Sequence, residues 1–124
     1  MANDFAISIR FGDEILDSGF TAIPNLVLDH YAELGITSAE MMFVIHIWKY
    51  WWQEKNPHPS LKRIADTMGV SKLQAMRYSH SLQDKGYLSV TSRYDPGLGQ
   101  LSNEYDFTTL IRAVRGVSKM IPGE

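Results

Sequence analysis

The sequence predicts a mainly α-helical fold with a small β component (α+β): a helical core around a helix-turn-helix, a two-stranded antiparallel hairpin, and an N-terminal strand. Three observations carry this. Between Pro59 and Gly86, apolar residues recur at helical spacing on either side of a glycine. A run of β-formers and a glycine-rich turn follow. Near the start, Phe5, Ile7, Ile9 and Phe11 alternate with Ala6, Ser8 and Arg10, the period of a strand.

Ser60 reads as the N-cap of a helix carrying Leu61, Ile64, Ala65 and Met68. Gly69 ends it, Val70 fills the corner, and Ser71 with Gln74 three residues on makes a capping-box start for the next helix, Ser71–Lys85. Small Ala65 and Gly69 let the two helices cross closely. Beyond Gly86, Tyr87 to Arg93 form one strand, Asp95-Pro96-Gly97-Leu98-Gly99 the turn, and Asn103, Tyr105 and Phe107 mark the second strand. Thr108 or Thr109 caps a short last helix with Leu110, Ile111 and Val114; the tail after Gly116 gives little signal and is expected to fray.

Upstream, Pro24 keeps Phe20–Ile23 extended, and Leu26 to Leu34 fit a short helix closed by Gly35. Thr37-Ser38-Ala39-Glu40 is a second capping box and opens the longest helix, expected to reach about Gln53. Met41, Val44, Ile45, Trp48 and Trp52 share one face of it, while Phe43, Ile47, Tyr50 and Trp51 cover much of the remainder. A helix apolar nearly all round is buried on more than one side. Either it is a central core helix, or Phe43, Ile47, Tyr50 and Trp51 form a homodimer or partner interface. The whole of 1–124 is expected to be a single domain, with an extended arm at 1–22, the helix-turn-helix at 59–86 and the hairpin at 87–108.

With 124 residues, ordinary apolar content and no cysteine, disulfides and thiolate metal sites are excluded. With neither a signal-peptide pattern nor a membrane-length apolar run, the expected location is cytoplasmic and no membrane is expected as a partner. The charge is unevenly spread: residues 1–59 carry three cations against eight anions, residues 60–93 six against two, and residues 94–124 three against four. Positive charge coinciding with a helix-turn-helix favours contact with nucleic-acid phosphates. His30, His46, His58 and His80 are scattered without metal-ligand spacing, and no nucleophile elbow occurs, so neither catalysis nor a metal or cofactor is expected. Gly97 and Gly99 belong to a hairpin tip and not to a phosphate-cradling loop.

Placed in a major groove, the second helix would present its N-terminal turns to base edges. Arg77 suits guanine O6 and N7, Gln74 adenine N6 and N7, Leu73 a thymine methyl, and Lys72 at the helix start a phosphate or a base. Ser60, Lys62, Arg63 and the hairpin residue Arg93 are the phosphate candidates.

The hairpin following the second helix gives an arrangement that resembles the winged helix-turn-helix. Ile23-Pro24-Asn25-Leu26, continuing through His30-Tyr31-Ala32-Glu33-Leu34-Gly35-Ile36-Thr37, is similar to the N-terminal domain of DnaD-type primosome proteins. So are the long helix, the Asn56-Pro57-His58-Pro59-Ser60 connector and Asp84-Lys85-Gly86-Tyr87-Leu88. Gln100-Leu101-Ser102-Asn103-Glu104-Tyr105 resembles the helix-turn-helix domains of phage and plasmid replication proteins. The resemblance implies replication initiation or transcription regulation, with duplex DNA, a second copy of the chain and replication-initiation proteins as partners. For the DnaD type it also implies self-association and partner binding by this domain, so an oligomerisation domain with little direct DNA reading is the alternative. DnaD-type proteins carry a further helical DNA-binding domain, so the chain is read as a fragment or as a stand-alone regulator on the same scaffold.

Overall fold

The computed structural model describes residues 4–51 and 56–120. In order they form α1 (Asp4–Phe11), α2 (Asp13–Asp17), α3 (Asn25–His30), α4 (Ser38–Trp48), α5 (Leu61–Met68), α6 (Lys72–Asp84), β1 (Ser89–Asp95), β2 (Gly99–Asp106) and α7 (Thr108–Met120).

The expected N-terminal strand is a helix, α1. An isolated strand would leave its backbone N–H and C=O groups unpaired, and the sheet consists of β1 and β2 alone, with no edge taken up by this segment. A helix satisfies those groups internally. Gly12, at φ 81°, then turns the chain into α2. No helix or strand covers Phe20–Ile23, and Pro24 after them has extended backbone angles.

Helix α4 begins on the expected capping box. The Thr37 hydroxyl accepts from the Glu40 N–H at 3.1 Å, and the Glu40 carboxylate accepts from the Thr37 N–H at 2.8 Å. The helix ends at Trp48, earlier than the expected Gln53; Trp52 and Gln53 lie outside the described residues. Its all-round apolar character is explained by burial within the chain. Phe43 and Ile47, read as possible interface residues, are both 0% exposed, so they serve this chain's own core and present nothing to a partner. Phe43 packs against Tyr78 of α6 and Tyr105 of β2, and Trp48 meets Phe107 edge-on at 5.9 Å. Tyr50 and Trp51 are half-buried, with Trp51 stacked on Trp48 at 5.3 Å.

Around α4 the core gathers Ile64 and Ala65 of α5, Ala75 and Leu82 of α6, and Leu110 and Val114 of α7. Helices α5 and α6 pack on α4, while α7 packs mainly on α3. The hairpin pairs Val90 with Tyr105 and is irregular between Thr91 and Arg93. Tyr105 N–H donates to the carbonyl of Pro57 at 2.9 Å, which lays the connector along the edge of β2. Helix α7 continues past Gly116, where the sequence signal is weak: Ile111, Val114 and Val117 keep its inner face apolar through the last turns.

A buried polar cluster fastens the helix-turn-helix to this frame. Glu40, 4% exposed, accepts from Lys85 Nζ at 2.7 Å and from the Ser81 hydroxyl, in addition to the Thr37 N–H. Lys85 Nζ also donates to the Gly35 carbonyl at 2.7 Å. Burial pushes the Glu40 pKa up, but the hydrogen bonds from Lys85, Ser81 and Thr37, with the Lys85 charge, outweigh it and leave the carboxyl below its ordinary value. The native pKa is therefore lower than the unfolded one. The carboxylate's contribution is complete above the unfolded value near 4.5 and is lost as pH falls through the lower native value. Lys85→Ala is expected to cost about 2–3 kcal/mol, because it leaves a buried carboxylate without its cation. Glu40→Gln should flatten the acid-side loss of stability. Urea unfolding as a function of pH checks both.

Candidate nucleic-acid interface

The geometry of the helix-turn-helix follows from its caps. Ser60 Oγ accepts from the Arg63 N–H and Ser71 Oγ from the Gln74 N–H, so each helix starts on a satisfied donor. Gly69 ends α5 in the left-handed region, at φ 75°, and Val70 N–H donates to the Ala65 carbonyl at 3.0 Å, closing the turn. Ala75, Ser79 and Leu82 then face inward along α6. Tyr78 turns toward Phe43, with the ring centroids 6.2 Å apart.

The opposite face of α6 carries Leu73, Arg77, His80 and Asp84, all exposed and spaced by three or four residues. Lys72 is exposed at the helix start, and Gln74 is half-buried on its flank. Lys72, Leu73 and Arg77 thus stand together on the solvent side of the N-terminal turns, with Leu73 56% exposed. His80, three residues after Arg77, extends the same exposed face and was not among the contact residues picked out from the sequence.

The phosphate candidates separate into two groups. Ser60 and Arg63 line a cleft of about 480 Å³ with Tyr50, Asn56, His58 and Ser102. Lys62, in contrast, is paired with Asp66 at 3.0 Å, both side chains exposed, and Arg93 donates to the Ser102 carbonyl at 3.2 Å across the hairpin. Lys85 is held by Glu40. Of the six cations between residues 60 and 93, Arg63, Lys72 and Arg77 have side chains with no partner among the described residues. The effective positive charge of the motif is therefore smaller than the count of residues implied, and it sits toward the start of α6.

His46 belongs to the scaffold. Its Nδ1 lies 3.2 Å from the Thr67 hydroxyl, and burial, then the nearby Lys49 charge, push its pKa down, keeping the ring neutral. Among the described residues no group of histidines and carboxylates is arranged to hold a metal, and no helix is long and apolar enough to cross a membrane.

Residues 23–118 match the family model of the DnaD N-terminal domain. The chain belongs to that family. Among solved structures it is similar to the N-terminal domain of DnaD from Geobacillus kaustophilus HTA426, with a TM-score of 0.67, 22% identity and 86% of each chain covered. It is also similar to a MarR-family transcriptional regulator from Rhodococcus sp. RHA1, with a TM-score of 0.50, 18% identity, and 92% of this chain and 69% of that one covered. No curated protein gives a significant match. At these identities the likenesses establish the fold, a winged helix-turn-helix that is mostly helical with a two-stranded antiparallel sheet.

Ser71→Ala should cost about 1 kcal/mol by removing the cap of α6. Leu73→Ala and His80→Ala, whose side chains point into solvent, should stay within about 0.5 kcal/mol of the parent. Thermal melts compare them.

Proposed function

We propose that the chain is the winged-helix module of a replication-initiation protein or transcriptional regulator that binds duplex DNA, with α6 in the major groove. The observation that carries this reading is the exposed start of α6, where Lys72, Leu73 and Arg77 project, with half-buried Gln74 on their flank, from a helix fixed to the core by its other face. Arg77 supplies two donors for a guanine edge, Gln74 a donor and an acceptor for adenine, and Leu73 an apolar contact. Ser60 and Arg63 at the start of α5 position the domain on phosphates. Lys62 and Arg93 already engage one donor each with Asp66 and the Ser102 carbonyl, and Asp66 offsets the Lys62 charge, so their contributions are the smaller ones. Family membership supports a replication setting, with primosome-type proteins as partners.

A second reading, self-association, rests on the N-terminal segment, read from the sequence as a strand sharing that role with the long helix, and less on the long helix itself. Ile9, Phe11 and Ile15 are 67%, 57% and 61% exposed, and Phe20 stands beside them. Phe11, Ile15 and Phe20, with Ile7, Leu16 and Ile23, line an apolar groove, and Ile9 is exposed on the same helix as Ile7 and Phe11. Exposed apolar surface of this kind marks an interface. We propose that α1, α2 and the following extended segment carry the homodimer contact, with Tyr50 and Trp51 as secondary candidates.

In a selection from random duplexes, Arg77→Ala is expected to lose about 1–3 kcal/mol of specific binding and to relax the preference at one base pair. A wild-type protein without salt-sensitive binding to any duplex would remove the DNA reading. Ile9→Ser with Ile15→Ser should lower the mass in sedimentation while leaving the helical spectrum unchanged. A wild type that sediments as a monomer at high concentration would remove the second reading.

A further inference from the structure

Helix α7 carries a second cationic surface. Arg112, Arg115 and Lys119 are all exposed and follow one another at intervals of three and four residues, which places them on one face. The helix contains no acidic residue. None of the three cations has an ion pair or side-chain hydrogen bond among the described residues. The unpartnered cations on α7 are thus as numerous as those in the helix-turn-helix. A charge count along the chain hides this, because Asp95, Glu104 and Asp106 of the hairpin, with Glu124, outnumber the same three charges when residues 94–124 are taken together. In the fold the three hairpin acids belong to β1 and β2, and Asp106 is engaged at the start of α7, accepting from the Thr108 N–H at 2.8 Å. Asp29 of α3, the helix alongside, is exposed and makes no ion pair with any of the three.

Gly116 sits on the same face. A glycine inside a helix costs about 1 kcal/mol relative to alanine. Nothing in the fold requires it: its φ is not positive, and a Cβ there would meet no atom within 4 Å. What it provides is bare backbone between three cations, where a bulky anionic chain can approach closely. The face has no exposed aromatic or aliphatic side chain to anchor a peptide. Its cations span about 10 Å along the helix, the rise of about three successive phosphates on one strand of a duplex.

We infer that the outer face of α7 is a second, sequence-independent contact for the phosphate backbone of duplex DNA, separate from α6. It stands independently of the major-groove reading. Arg112 and Arg115 grip phosphates as forked donors, Lys119 extends the contact, and Gly116 lets the backbone close in.

The test measures affinity of the full chain for a mixed-sequence duplex as a function of salt. Arg112→Ala, Arg115→Ala and Lys119→Ala together should weaken binding about tenfold or more and reduce the slope of log affinity against log salt by about 2–3. Replacing both arginines by lysine should retain most of that slope. Gly116→Ala should raise the melting temperature while weakening binding severalfold. A triple variant that keeps the parental slope overturns the inference. So does a triple variant whose only change is its mass in solution, which assigns the face to a second copy, or an acidic peptide that binds α7 in preference to the duplex. Loss of binding on Arg77→Ala with no effect of the triple variant leaves the α6 reading standing and this one refuted. The opposite pattern refutes the α6 reading and leaves the α7 contact standing.

Discussion

The carboxylate of Glu40 is the point on which the architecture turns. It closes the capping box that starts α4 and receives the cation and hydroxyl that end α6. Lys85 reaches past it to the Gly35 carbonyl. One buried acid therefore joins the turn after α3, the start of α4 and the far end of α6. A buried charge of this kind is tolerated only when its acceptor sites are filled, and here several donors converge on it. The cluster fixes the C-terminal end of α6 and leaves its N-terminal half projecting.

The hairpin depends on a different constraint. Asp95 closes its tip by accepting from the Gly97 and Leu98 N–H groups, and Arg93 braces it by donating to Ser102. Tyr105 binds it to the connector and, through Phe43, to α4. Tyr94 and Leu98 are left exposed at the tip with Asp95, while acidic Glu104 and Asp106 stand toward the base of the hairpin. The wing of this chain is thus acidic and apolar where a phosphate-gripping wing would be basic, and cationic surface lies instead on α6 and α7.

Most of the fold was legible because its signals are local. Ser60, Gly69, Ser71 and the Thr37–Glu40 box state where helices start and stop, and each acts within a few residues of itself. Asp95-Pro96-Gly97 does the same for the hairpin. The failures came where a long-range partner decides. Phe5 to Phe11 alternates like a strand, yet no strand pairs with it, so the backbone satisfied itself as a helix. Phe43 and Ile47 looked surplus to one buried face because the sequence does not reveal that α5, α6 and the hairpin surround α4. In the candidate site, the residues of α6 could be placed by helical period alone. The Lys62–Asp66 pair, four residues apart on α5, follows from the same period, but that Lys85 and Arg93 are occupied does not, since Glu40 lies 45 residues away and the Ser102 carbonyl is reached only across the hairpin. Helix α7 was underread because acidic neighbours in sequence masked a face that becomes purely cationic once folded.

The outward stripe of α6 has one further consequence. Leu73, Arg77, His80 and Asp84 are exposed, and no ion pair or side-chain hydrogen bond ties them to the rest of the described residues. The fastening at Glu40 and the packing of Ala75 and Leu82 lie elsewhere on the helix. Substitution along the stripe leaves folding nearly untouched. Related chains are therefore free to diverge there while keeping one scaffold, and the same independence makes these positions the natural ones to randomise when a new recognition preference is sought.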